Sequence, residues 1–232
     1  MNHSRKELCP LRNTSRLKPN DIIVASCPKT GTTWLKALTF AIVTRGVFDN
    51  STNPLLKKVP HECVPFLELD LAKVSSDRDS GIPLVATHVP YISLPKTILD
   101  SGCKIVYVCR DPKDVFVSLW YFVAKQLISK NIEPIPKEDA FELFCKGTAH
   151  CGPYWDHVNE EIPKFLRQEI STVHGYPFSL EEEEKGVMQK VTNICSFENL
   201  SNLEVNKNGR HRENTTLAIP NHVYFRNGQA GD

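Results

Sequence analysis

"DIIVASCPKTGTTWLKALTF", residues 21–40, passes from an unbroken apolar run through Pro28, Lys29 and Gly31 into a helical pattern. The run is short and rich in isoleucine and valine, as expected of a strand buried on both faces of a parallel sheet. A helix is expected from about Thr32 to Arg45, with Trp34, Leu38, Ala41 and Arg45 on one stripe, Leu35 and Ile42 beside it, and Gly46 closing it. In the intervening loop Gly31 lets the backbone approach a ligand closely, Lys29 brings a full positive charge, and Thr30, Thr32 and Thr33 bring hydroxyl donors. A strand that ends in such a loop and feeds a helix N-terminus directs several N–H groups and a partial positive charge at one point, which suits a phosphate. The motif G-x-x-x-x-G-K-[ST] places its lysine after the second of two glycines, whereas Lys29 precedes the one glycine here, so an ordinary nucleoside triphosphatase is disfavoured. The plainer alternative is a glycine turn beside an exposed lysine.

The same pattern returns twice. "PLVAT" (83–87) and "KIVYVC" (104–109) are apolar runs of strand type, each followed by a turn signal. His88 stands just past the first of them, and in an open parallel sheet ligands gather outside the carboxyl ends of the strands. It is either a base, with an ordinary pKa of about 6.5 suited to proton removal near neutrality, or a structural histidine before a turn. After the second run, Asp111 and Pro112 read as N-cap and first residue of a largely apolar helix. Arg110 leaves the strand at its carboxyl end and Ser118 lies about two helical turns on, so both can reach an anion beside the sheet. The alternative is an arginine held in its own turn by Asp111. Two anion-seeking clusters and a histidine along one sheet edge suggest transfer of an anionic group from a nucleotide to a hydroxyl.

The chain of 232 residues, 41% hydrophobic and 24% charged, is sized for one α/β domain, expected over residues 21–232 behind a poorly ordered segment 1–20. Its 28 lysines and arginines nearly balance 27 acids, so no net field points to nucleic acid or an acidic membrane. Eight cysteines without a C-x-x-C or a zinc-like spacing read as reduced packing residues, and no metal is expected. No apolar run approaches the roughly 18 residues that cross a bilayer. The first twenty residues lack the apolar core of a secretory signal and read as a frayed terminus, with a weaker hint of a transit peptide, so a cytoplasmic location is expected. Helices are expected at "KEDAFELFCKG" and "NEEIPKFLRQEIS", and Ser179 with Glu182 reads as a capping box before a helix with Val187, Val191 and Ile194 on one face. From Asn199 onward the sequence lacks periodicity and reads as loop or disorder.

Seven segments, in order, carry a resemblance: "PKTGTTWLKAL", "THVPYISLPK", "CRDPKDVFVSLW", "CGPYWDHV", "PFSLEEEEKGV", "CSFENLSNLEVNK" and "YFRNGQAGD". Together they are similar to the plant-type cytosolic sulfotransferases, including the flavonol sulfotransferases. The resemblance implies an α/β fold in which a parallel nucleotide-binding sheet carries a strand, phosphate-binding loop and helix. It implies a sulfate donor, 3′-phosphoadenosine 5′-phosphosulfate (PAPS), with its phosphosulfate on the loop from Lys29 through Thr30, Gly31, Thr32 and Thr33 to Trp34. Arg110 and Ser118, joined by Arg226, Asn227 and Gly228, are implied for the 3′-phosphate, and Ser196 and Phe197 for the nucleotide region. Trp34 and Phe197 would sandwich the adenine, His88 would be the base, and Lys29 would also serve catalysis. The implied partner is a small-molecule hydroxyl acceptor such as a flavonoid, steroid or hormone.

The sequence also departs from that pattern. After Val158 it runs directly into "NEEIPKFLRQEISTVHGYPFS", where the family has a helix, a strand and a Tyr-Glu-Asp-like segment, so one strand is expected to be missing. Arg-Asn-Gly at 226–228 replaces the family's Arg-Lys-Gly, and the chain stops within a "GDWKN"-type motif, before the dimerisation segment. An impaired enzyme is therefore expected, the alternative being a truncated, non-catalytic relative that binds only nucleotide or acceptor.

Overall fold

The computed structural model describes residues 17–70, 81–149, 152–158, 175–215, 218–226 and 228. Strand β1 (Ile22–Ser26) is followed by helix α1 (Thr32–Thr44), strand β2 (Leu84–Thr87), strand β3 (Lys104–Val108), and helices α2 (Pro112–Ile128), α3 (Lys137–Cys145), α4 (Val187–Ile194) and α5 (Phe197–Asn202). The three strands pair in the order β2-β1-β3, both pairings parallel, with Ile22 opposite Leu84 on one side and Lys104 on the other. All three expected strands are thus present, and their carboxyl ends lie together because the pairing is parallel and in register.

Alternation along β1 sends Ile22 and Val24 to one face, where they pack with Leu35 and Phe40 of α1 and Ile194 of α4. Ile23 and Ala25 face the other way, onto Leu67, Leu94 and Ile98. A third cluster joins Cys27 to Val115 and Phe116 of α2 and Phe144 of α3. Each β1 and β2 residue is buried, whereas β3 lies at the edge of the described sheet and is half-buried throughout.

Asp111 caps α2 by accepting from the Lys113 N–H, Pro112 occupies the first turn, and Ser179 and Glu182 form the expected reciprocal box. The stripe expected on α1 differs. Trp34 is 51% exposed, while Leu35, Lys36, Ala37, Phe40, Ala41 and Thr44 are buried. The helix is covered by α4 and by the turn Pro60–Cys63 as well as by the sheet, so burial wraps around it and takes in Lys36, whose Nζ donates to Val64 O at 2.9 Å.

The reading of loop or disorder beyond Asn199 is also corrected. α5 continues into a helical turn at Glu204–Asn208, an antiparallel pairing of Arg210–His211 with Ile219–Pro220, and a 3-10 turn at Asn221–Tyr224. Asparagine amides hold this region, because Asn199 donates to Ile194 O, Asn206 to Leu200 O and Asn221 to Val205 O, each at 2.8–2.9 Å. Such bonds satisfy backbone carbonyls without any apolar period, which is why the pattern does not announce them. The helix expected at "NEEIPKFLRQEIS" and the place of the expected missing strand lie outside the described residues, as does the N-terminal segment up to residue 16. The six described cysteines are free thiols.

Candidate active site

The loop between β1 and α1 is bent by two residues with left-handed backbone, Lys29 at φ 70° and Gly31 at φ 117°. For Gly31 that conformation is the reason for glycine; for Lys29 it is strain of the kind that persists at functional turns. Successive turns of opposite hand let backbone N–H groups converge, and the first N–H groups of α1 have no intrahelical acceptor. A cavity of about 460 Å³ opens over this loop. Its wall brings together Lys29, Thr30, Gly31, Thr32, Thr33 and Trp34 with His88, Arg110 and Ser118, and with Phe197, Arg226 and Gly228 from the C-terminal part of the chain. Ser196 is not on that wall: its hydroxyl accepts from the Asn199 N–H and caps α5. Asn227 lies outside the described residues.

The loop hydroxyls are less open than the sequence suggests. Thr30 Oγ1 donates to Cys27 O at 2.7 Å and Thr32 Oγ1 is 2.7 Å from Ser26 Oγ, so both tie the loop to the sheet. Ligand contacts at these positions then fall to backbone N–H groups and to Lys29. That lysine points over the Phe122 ring, 4.5 Å from its centroid. Its pKa is pushed down from 10.5 to about 8, first by burial and then by the positive charges of Arg226, Lys125 and Arg110. Arg110 is paired with Asp114 one helical turn on, at 3.2 Å, while Asp111 is the helix cap. Phe197 lies against Gly228, where a Cβ would come within 2.6 Å of the ring, so glycine is required for the close approach.

His88 is held on two sides. Its Nδ1 lies 2.7 Å from Ser26 O, and its own N–H donates to Glu68 Oε1 at 2.7 Å. A carbonyl only accepts, so Nδ1 carries the hydrogen and Nε2 is the accepting nitrogen of the neutral ring. This is the tautomer a base needs. Glu68 also accepts from Thr87 Oγ1 at 3.0 Å, and burial pushes its carboxyl pKa up against the effect of these bonds. The sequence reading missed Glu68, together with the cavity residues His61, Phe122, Tyr224 and Phe225. His61 and Glu68 lie between β1 and β2, where "PHECVPFLE" has no regular period, so only the tertiary contacts reveal them.

The Sulfotransferase domain family model matches residues 19–176, more than half of the chain. The chain belongs to the sulfotransferase family. Its sequence is 44% identical to the flavonol 3-sulfotransferase of Flaveria bidentis over 241 aligned residues, covering 94% of this chain and 77% of that protein. It is 46% identical to cytosolic sulfotransferase 17 of Arabidopsis thaliana, covering 94% of this chain and 69% of that one. Among solved structures, a mouse sulfotransferase complexed with PAP superposes with a TM-score of 0.62 at 23% identity, covering 99% of this chain and 83% of that one, a likeness of fold. The parallel sheet flanked by helices is therefore a sulfotransferase fold. No helix among the described residues is long and apolar enough to cross a membrane.

One consequence of the cation cluster is measurable. Lys29 has a folded pKa below its unfolded one, so burying its charge disfavours the ligand-free fold fully below about pH 8, and this cost vanishes as pH rises from 8 to 10.5. An anion in the loop favours the charged form. Affinity for adenosine 3′,5′-bisphosphate is expected to show no loss from Lys29 between about pH 7 and 8 and then to fall by up to about tenfold per pH unit, measured by calorimetry. A flat profile up to pH 10 would remove Lys29 from the anion site.

Proposed function

We propose that this sulfotransferase uses the cavity to move a sulfuryl group from PAPS to a hydroxyl of a small cytosolic acceptor. The observation that carries the reading is the buried Lys29 beside Arg226, Lys125 and Arg110: burial first, and then the charges of its neighbours, depress its pKa, a cost that a bound anion would relieve. The residues fit such a donor: the cavity wall carries the loop with Lys29, Arg110 and Ser118 for a second phosphate, and the aromatic residues Trp34 and Phe197 for a base. PAP is named with the mouse sulfotransferase, and with retinol dehydratase, where it is called the inactive cofactor. The flavonol 3-sulfotransferase is named for a flavonol acceptor, which favours a flavonoid-like hydroxyl here.

When bound, the donor supplies the sulfuryl group. His88 Nε2 takes the proton of the acceptor hydroxyl as its oxygen bonds to sulfur, and the Nδ1–H bond to Ser26 O holds the ring in line and spreads the imidazolium charge. Lys29 meets the negative charge that gathers on the bridging oxygen as the old sulfur–oxygen bond breaks, and the low polarity that depresses its pKa makes that interaction strong. The alignment with the flavonol 3-sulfotransferase, 241 residues, is longer than the 232-residue chain, which supports a chain with gaps relative to that protein.

The assignment of Arg110 and Ser118 is tested by nucleotide choice. Adenosine 3′,5′-bisphosphate at about 100 times its dissociation constant adds roughly 2.7 kcal/mol, or about 5–10 °C in melting temperature for a chain of this size. The same concentration of 5′-AMP is expected to give a clearly smaller shift. Equal shifts would withdraw the 3′-phosphate role.

A further inference from the structure

We infer that His61 is a positioning residue for the donor end of the site: its Nε2–H donates to Thr33 Oγ1 and so turns the Thr33 hydroxyl hydrogen toward an anion held by the loop. The inference rests on the reading of that loop as the phosphosulfate site. Thr33 is singled out by what its neighbours do, since the hydroxyls of Thr30 and Thr32 bond to Cys27 O and to Ser26. Its partner is instead the His61 Nε2, at 3.0 Å, and both residues line the cavity.

A threonine hydroxyl has one hydrogen. Given to His61, it is lost to any ligand, and the ring must then carry its own hydrogen on Nδ1, a buried atom with no hydrogen-bond partner among the described residues. Donation in the other direction frees the hydroxyl hydrogen and leaves Nδ1 as a lone pair. An anion in the loop selects this second arrangement, because a hydroxyl bond to an ionised oxygen is about twice as strong as one to a neutral acceptor. Burial, reinforced by the charge of Lys36, holds the ring neutral, with one hydrogen to place. The ring cannot easily swing away to satisfy Nδ1, being packed against Tyr224 at 4.4 Å, Phe66 at 5.5 Å and His211 at 5.6 Å between centroids, and only 5% exposed. A buried nitrogen without a partner is uncommon enough to need a reason; here the reason is the bond that the ring makes on its other side.

The test compares His61→Phe, His61→Gln, Thr33→Ala and the His61→Phe/Thr33→Ala pair. Bisphosphate affinity, the KM for PAPS and for a phenol acceptor, kcat and the ligand-free melting temperature are read for each. His61→Phe and Thr33→Ala are each expected to weaken bisphosphate binding and raise the PAPS KM by about tenfold to hundredfold, the range for a hydrogen bond to a charged group, while the acceptor KM stays within about twofold of wild type. The pair is expected to be no worse than either single change, and His61→Gln, whose amide N–H reaches toward Thr33, to recover most of the loss. Independent, multiplying effects in the pair, or a folded His61→Phe with wild-type affinity, overturn the inference. Should His61→Phe fail to fold, Thr33→Ala in the His61→Gln background decides, since an undiminished affinity there also overturns it. A wild-type chain without any bisphosphate response instead overturns the reading of the loop on which the inference stands.

Discussion

His88→Asn is expected to lower turnover by about a hundredfold to ten-thousandfold, the contribution of a positioned base, while bisphosphate affinity changes by less than about threefold. The substitution isolates one nitrogen. An asparagine amide overlies the Nδ1 half of imidazole and can still donate to Ser26 O, and the main-chain bond from residue 88 to Glu68 is untouched. What is lost is Nε2, the accepting atom. Because that atom is the proposed base for the acceptor hydroxyl, the loss should fall on kcat and not on donor binding. Steady-state kinetics beside a bisphosphate titration separates the two, and a variant with wild-type turnover would make His88 a structural residue.

Lys29→Met is expected to act in opposite directions on stability and on catalysis. In the ligand-free protein Lys29 is depressed from 10.5 to about 8 by burial and by Arg226, Lys125 and Arg110, which at pH 7 amounts to a cost of up to roughly 3 kcal/mol. Methionine fills much of the same space beside Phe122 without a charge, so the ligand-free melting temperature should rise by several degrees. Turnover should fall by about a hundredfold to a thousandfold, as when one oxyanion-type donor is removed, and bisphosphate affinity should fall with it. Scanning calorimetry and kinetics on the same preparation check both. A variant that is less stable and equally active would show that Lys29 is a structural cation. Stability withheld at a site in this way is a common companion of function.

The sheet was legible because each strand is a short β-branched run and each is followed at once by its turn residues, so the residues at its carboxyl edge could be named before any coordinates. The loop, His88, Arg110 and Ser118 belong to this class, and they do line one cavity. Phe197 and Arg226 could be placed by resemblance alone, since asparagine side chains and not a repeating apolar pattern hold that region together. Nothing in the sequence distinguished the hydroxyl of Thr33 from those of Thr30 and Thr32, because their partners, His61, Cys27 and Ser26, are set by packing. Lys36 shows the same limit from the other side. A lysine within a helical pattern reads as solvated, yet here its stem is buried and its ammonium lies 3.1 Å from the centre of the Phe66 ring.

Strand β3 is half-buried and leads directly into Arg110, and small misplacements of reacting groups can cost on the order of a hundredfold in rate. Whether the cavity still performs the chemistry is answered by following radiolabelled sulfur from PAPS to a panel of phenols and alcohols, with the intact chain and its His88→Asn variant side by side. Transfer to at least one hydroxyl acceptor is expected, dependent on the chain and largely lost in the variant. Tight bisphosphate binding with no transfer to any acceptor would contradict it and leave a nucleotide-binding relative of the sulfotransferases.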